Sequence, residues 1–335
     1  MFSIKDVAEA AGVSTATVSR VLSNGLHVRP EVRERVMVAV ERLGYRPNLV
    51  ARSLRSQQST TLGLIVSDIR NPFFTSVSRA VEDTTYEQGF SIVLCNTDEQ
   101  PEKEAIYLNL MQDTGVAGVI ISPTRQATAS FTSSNFTFPM VVVDRSVPNG
   151  DVDTVLLDNV DAAYRLTTHL IEQGYQRIGA LSSEMSTGLE RQLGYEKALR
   201  AHGLALRAEY MKYVPPRTEA GYAAALKMLD TSEPPDALFT ANSLIAAGAL
   251  QAIRERNLSM PDDIALVTFD ETTWASLVQP AITLIAQPTY EIGKTAAELL
   301  LQRIADPSRS TRQVILKGQL VVRGSSTPRQ SGRPS

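Results

Sequence analysis

Apolar residues near the start of the chain fall at Ile4, Val7, Ala8 and Ala11, and again at Val18, Val21 and Leu22. The i, i+3, i+4, i+7 spacing predicts one helix face, and the second run predicts another. Gly12 allows a tight turn between them, and Ser14 stands where an N-cap hydroxyl meets the free amides of the second helix. Thr15, Ala16, Ser19 and Arg20 are then left on the outer side of that helix, near its N-terminal end. A third helix is predicted from Pro30, a favoured first-turn residue, to Gly44, with Val32, Val36, Ala39, Val40 and Leu43 on its apolar side. Two short helices and a tight turn suit the DNA major groove, which the first turn of the second helix would read. An ordinary surface αα-hairpin has the same periodicity.

From Thr61 the period changes. LGLIVSD, SIVLCNT, GVIISPT, MVVVDR, TVLLDN, RIGALSS, DALFTA and IALVTFD are short, continuous apolar runs, most of them separated by helical stretches. That alternation predicts parallel sheets covered on both faces. The runs end on polar residues: Asp68 and Asn71, Asn96, Pro123-Thr124, Asp144-Arg145, Ser182, Asn242 and Asp270. Open α/β sheets bind ligands beyond the carboxyl ends of their strands, so these residues are expected to line one cleft. There are too many strands for one ordinary sheet, so two lobes are expected.

Charge separates the front from the rest. Residues 1–60 hold nine Lys and Arg against five acids, a net of +4, which leaves −7 of the whole-chain −3 for residues 61–335. A basic head on an acidic body fits a protein in which only the head meets phosphate. The single Cys95 excludes an internal disulfide framework and reads as a small buried hydrophobe. With no membrane-spanning apolar run and no signal segment, a cytoplasmic protein without membrane contact is expected. Phosphate-binding GxxxxGK[ST], GxGxxG after the first strand and zinc-binding HExxH are all missing from the sequence. His27, His169 and His202 are scattered, so neither a metal, a cofactor nor an enzyme activity is expected.

The segments IKDVAEAAGVSTATVSRVLSN and HVRPEVRERVMVAVERLGYRPNLVARSLRS closely resemble the DNA-binding headpiece of the LacI/GalR family of bacterial transcription regulators. The likeness continues through nearly the whole chain. It implies an all-α helix-turn-helix headpiece over residues 1–47 and a hinge helix and linker over 48–60. Behind these it implies an α/β body over 61–324, two doubly wound lobes like type I periplasmic-binding proteins. The N-lobe would take about 61–156 and 288–317, and the C-lobe about 157–287 and 318–324. Residues 325–335, rich in Ser, Pro, Arg and Gly, are expected to be a disordered tail.

By the same resemblance, two copies would bind a pseudo-palindromic double-stranded operator as a homodimeric repressor. DNA contacts are expected from Ser14, Thr15, Ala16, Thr17, Ser19, Arg20 and His27. Ala51, Leu54 and Arg55 of the hinge segment would join them, with Leu54 wedged into the minor groove. A small metabolite in the cleft would control DNA binding. Its expected contacts are Asn71, Phe73, Phe74, Arg125, Asp144, Arg191, Arg217, Asn242, Asp270 and Trp274, the only tryptophan. Ser243 stands after Asn242 where the family usually has aspartate. Arg125, Arg145 and Arg217 suggest a positively charged cleft, hence a sugar acid or phosphorylated sugar, with an uncharged sugar or a purine still open. A transport-type sugar-binding protein and a sugar-processing enzyme fused to a regulatory head are the alternatives from other classes.

Overall fold

The computed structural model describes residues 2–22, 28–45, 59–126, 135–147 and 151–328. Internal contacts divide the chain into two units, residues 1–59 and 60–335. His27, Ala51, Leu54 and Arg55 lie outside the described residues, as do 329–335.

The first unit has three described helices: α1 (Ile4–Ala11), α2 (Thr15–Leu22) and α3 (Pro30–Leu43). Val7, Ala8, Ala11, Val18, Val21, Val36 and Ala39 form its core. Gly12, with φ 63°, closes α1 in the left-handed region. Arg35 of α3 reaches back to donate to the carbonyls of Ala11 and Gly12, so the α1 C-terminus is satisfied by a side chain 23 residues away. Ser14 Oγ accepts from Thr17 N at 3.2 Å, the N-cap bond its position predicts.

The second unit contains two six-stranded sheets with the same strand order. In the N-lobe, β1 (Thr61–Val66), β2 (Ser91–Asn96), β3 (Gly118–Ile121), β4 (Met140–Val143), β5 (Asp153–Leu157) and β11 (Gln313–Leu316) are arranged β11-β5-β4-β3-β1-β2. All five pairings are parallel. In the C-lobe, β6 (Ile178–Ser182), β7 (Met211–Tyr213), β8 (Ala237–Thr240), β9 (Ala265–Phe269), β10 (Thr283–Ala286) and β12 (Gln319–Val321) are arranged β12-β10-β9-β8-β6-β7. Here only the β10–β12 pairing is antiparallel. The helices of the N-lobe are α4 (Pro72–Tyr86), α5 (Pro101–Thr114) and α11 (Thr289–Ala305). Those of the C-lobe are α6 (Asn159–Glu172), α7 (Ser186–Ala201), α8 (Thr218–Leu229), α9 (Ser243–Glu255) and α10 (Thr273–Leu277).

The chain passes between the sheets three times, after Leu157, after Ala286 and between Leu316 and Gln319. Four short strands, β7, β10, β11 and β12, extend the eight that the apolar runs single out. The polar C-terminal stretch is partly packed, contrary to the expected disorder from residue 325. Ser325 and Ser326 are fully buried, Ser325 Oγ donating to Leu266 O at 2.6 Å and Ser326 Oγ to Thr283 Oγ1 at 2.6 Å. Small hydroxyl side chains fit there because each finds a partner on β9 or β10.

Candidate functional site

The equivalence of the two sheets places β4 and β9 at matching positions, and each is followed at once by an aspartate. Asp144 has φ 71° and Asp270 φ 75°. A left-handed backbone is unusual for a residue with a side chain, though aspartate tolerates it better than most. Both carboxylates face one cavity of about 470 Å³ at the carboxyl ends of the strands. That volume lies within the usual range for small-ligand sites.

Arg191 on α7, 5% exposed, lines the same cavity. Nε donates to Asn159 Oδ1 at 2.8 Å, Nη1 donates to the Ala241 carbonyl, and the guanidinium carbon lies 4.0 Å above the Phe269 ring. Its position depends on Gly194 one turn along, because a Cβ there would sit 2.3 Å from Val160 O. Only glycine lets α7 approach α6 this closely, and α6 carries Asn159. Burial lowers the pKa of Arg191, and the charges of Asp270 and Asp144 oppose that shift.

Asp270 is held from two sides. Ser243 N donates to Oδ2 at 3.2 Å and Gln287 Nε2 to Oδ1 at 2.5 Å. Gln287 lines the cavity, and its Oε1 is buried without a hydrogen-bond partner among the described residues, an acceptor a ligand can use. Asn242 also lines the cavity, but its Oδ1 caps α9 by accepting from Ile245 N at 2.8 Å. Asn71 does the same for α4, accepting from Phe73 N at 3.0 Å. Phe73 and Phe74 both line the cavity and both belong to the N-lobe core, ring centroids 5.0 Å apart and edge-on. Arg217 lines the cavity from the N-terminus of α8.

Nine of the ten expected contacts thus line one cavity, and Trp274 does not. It lies on α10, half-buried against the C-lobe core cluster that contains Ala275 and Ile282, which corrects its assignment. Proximity in sequence to Asp270 misleads here, because the indole packs against the core and is not among the residues that line the cavity.

The expected positive cleft is also corrected. Six acids line the cavity (Asp68, Asp98, Glu99, Asp144, Glu184, Asp270) against four arginines. Four of the acids are already paired, Asp68 with Arg70, Asp98 with Lys103, Glu99 with Arg145 and Glu184 with Arg125, which leaves Asp144 and Asp270 with Arg191 and Arg217 and no positive excess. Arg145 is 4% exposed; Nη1 also donates to Pro123 O at 2.6 Å and Nη2 to Ser67 Oγ at 3.4 Å. Glu99 was missed by sequence reading because it lies three residues beyond β2 and meets Arg145 only through the fold. Burial raises the Asp144 pKa to about 6, with Arg145 and Arg191 opposing the shift.

In the first unit, Thr15, Ala16 and Arg20 are exposed on α2 and Ser19 is half-buried. Ser14 and Thr17 hydroxyls are hydrogen-bonded to each other at 2.9 Å. Residues 3–48 match the family model for bacterial regulatory proteins of the lacI family, and residues 59–323 match that for periplasmic binding proteins and the sugar-binding domain of the LacI family. The chain belongs to the LacI family of bacterial regulatory proteins.

Among its relatives in that family is the HTH-type transcriptional repressor PurR of Haemophilus influenzae (strain PittEE), 34% identical over 97% of this chain and 98% of the relative. The HTH-type transcriptional regulator RegA of Clostridium saccharobutylicum is 33% identical over 96% and 98% of the two chains. Among solved structures, the lac repressor dimer bound to operator and the anti-inducer ONPF superposes with a TM-score of 0.87 at 26% identity, covering 97% of this chain and 99% of that one. The complex of the transcriptional regulator CelR with cellobiose gives 0.73 at 29% identity, covering 97% and 100%. All four carry the names of transcriptional regulators or repressors.

Proposed function

We propose that this LacI-family chain is a homodimeric, operator-binding transcriptional repressor whose DNA affinity is set by a neutral, polyhydroxylated ligand in the cleft between its lobes. The observation that carries the reading is the convergence of Asp144, Arg191 and Asp270, drawn from both lobes, on one cavity. Paired carboxylates accept hydrogen bonds from hydroxyls and a guanidinium donates to hydroxyl or ring oxygens, so the three together match a sugar's alternating donors and acceptors. With Asp68, Asp98, Glu99 and Glu184 each in an ion pair, Asp144 and Asp270 are balanced by Arg191 and Arg217, and a lining with no net positive charge suits an uncharged ligand better than a sugar acid or sugar phosphate. A ligand that binds the two lobe arrangements unequally shifts their balance, and with it DNA binding. The edge strand β2 exposes Val93 and Leu94, an apolar margin suited to a second copy of the chain.

Thermal-shift screening of neutral sugars, sugar acids, sugar phosphates and purines tests the ligand class. Stabilisation by a neutral sugar supports it; stabilisation by anionic sugars or purines alone overturns it. For the DNA side, Arg20→Ala is expected to weaken binding to a fragment selected by the wild-type protein, by about 1 to 3 kcal/mol if a bidentate base contact is lost. Unchanged gel-shift affinity at fixed salt would remove Arg20 from the interface.

Asp144 supplies a pH test. Ligand hydroxyls donate to the ionised carboxylate, so protons compete with ligand wherever Asp144 is protonated. Its raised pKa of about 6 therefore predicts affinity that is full above pH 7 and falls as pH drops through 6. Calorimetric titration of the best sugar between pH 5 and 8 reads this, and Asp144→Asn should flatten the profile. A profile unaltered by that substitution would show that Asp144 does not take the ligand.

A further inference from the structure

Glu190 precedes Arg191 on α7 but does not line the cavity. Its two carboxylate oxygens are divided between the lobes. Oε1 accepts from Ser146 Oγ of the N-lobe at 3.1 Å, and Oε2 accepts from Asn159 Nδ2 of the C-lobe at 2.8 Å. The same Asn159 amide presents its Oδ1 to Arg191 Nε at 2.8 Å. A single chain of hydrogen bonds thus runs from the opposite lobe, through Glu190 and Asn159, to the buried guanidinium in the cleft.

The direction of each bond in that chain is fixed by chemistry. An ionised carboxylate only accepts and a guanidinium only donates, so the amide between them must place NH₂ toward Glu190 and oxygen toward Arg191. Without Glu190, Arg191 Nε still calls for the amide oxygen, but Nδ2 loses its acceptor and Asn159 is held from one side only, so its donors and acceptors are no longer all matched. Asn159 is 2% exposed, so a mismatched pair there is expensive to leave unmet. An inter-lobe ion pair, Arg125 with Glu184, has both side chains 56% exposed and is weakened by solvent.

We propose that Glu190 is a positioning residue that couples lobe closure to the orientation of Arg191. When Ser146 comes within reach, the carboxylate is satisfied on both sides, Asn159 is locked and Arg191 is aimed at the ligand. The inference rests on the reading of the cleft as an effector site. Its specific content is that Ser146, which touches neither Arg191 nor the cavity, matters to ligand binding only through Glu190.

The test uses the full chain with spin labels at Glu102→Cys on α5 and Lys227→Cys on α8, both exposed positions, in a Cys95→Ser background. Pulsed electron resonance on the ligand-free protein is expected to show longer, broader inter-lobe distances for Ser146→Ala and for Glu190→Ala. The double variant should go no further than either. In parallel, calorimetry with the best neutral sugar is expected to show a roughly tenfold loss for each single variant and no added loss for the pair, the non-additivity of residues acting through one another. Melting temperatures monitor folding. Unchanged distances in both single variants, or additive losses of affinity, overturn the proposal. If no sugar binds the wild-type protein, the effector reading fails, while the distance measurement still decides whether Glu190 joins the lobes.

Discussion

Replacing Arg145 with alanine is expected to lower the stability of the two-lobed unit by about 3 to 5 kcal/mol, the range for removing one partner of a buried ion pair. Its guanidinium meets the loops after four neighbouring strands: Ser67 after β1, Glu99 after β2, the Pro123 carbonyl after β3 and, with Nε 3.6 Å from its Oδ2, Asp144 after β4. Glu104 on α5 lies in the same field, its pKa raised by burial. Truncation leaves three carboxylates without their common counter-charge. At roughly 2 to 4 °C per kcal/mol for a domain of this size, the melting temperature should fall by about 10 °C at pH 7. Protonation relieves the strain, because Asp144 and Glu104 both have pKa values above the ordinary carboxylate value and take up protons as pH falls. The gap between variant and wild type should therefore narrow toward pH 5. A melting temperature within about 2 °C of wild type at both pH values would show that the four loops hold themselves in place.

Arg145 also marks where the sequence stops being informative. Following a strand end, it looks like a ligand contact, and only the partner Glu99, 46 residues earlier, shows that the charge is spent inside the N-lobe. Asp144 and Asp270 were legible because their position depends on a local rule: a polar residue directly after a buried apolar strand faces the cleft. The helices of the first unit were legible for the same kind of reason, since Gly12, Ser14, Pro30 and Gly44 are local stop and start signals that the structure uses as such. Strands β7, β11 and β12 run only three or four residues, with polar members such as Lys212, Gln313 and Gln319, so neither run length nor alternation marks them. Ser325 and Ser326 were misread because composition counts apolar area, whereas these side chains are held by hydrogen bonds to residues far away in sequence. Trp274 failed in the opposite way, its size suggesting a ligand platform where the fold uses it as packing.

Arg191→Ala is expected to leave a protein that still binds DNA but no longer responds to its ligand. The side chain is almost fully buried, donates to Asn159 and Ala241, and is the cation closest in role to both Asp144 and Asp270. Truncating one member of a buried, hydrogen-bonded charge cluster at an interface weakens binding by about 2 to 5 kcal/mol, and at 1.4 kcal/mol per decade this is roughly 30-fold to several thousand-fold. Some stability is lost as well, since Asn159 Oδ1 and the Ala241 carbonyl lose their donor and Phe269 loses the group stacked on it. Arg191→Lys separates charge from geometry. An ammonium keeps the cation but cannot present a planar fork to two protein acceptors and a ligand at once, so lysine should restore melting temperature more than affinity. The first unit has its own core of Val7, Val18, Val36 and their neighbours. Ligand-free gel-shift affinity should therefore stay within a few-fold of wild type in both variants. Wild-type ligand affinity in Arg191→Ala would mean that the ligand is held elsewhere. Loss of DNA binding without ligand would instead mean that Arg191 acts on the lobe arrangement itself, before any ligand arrives.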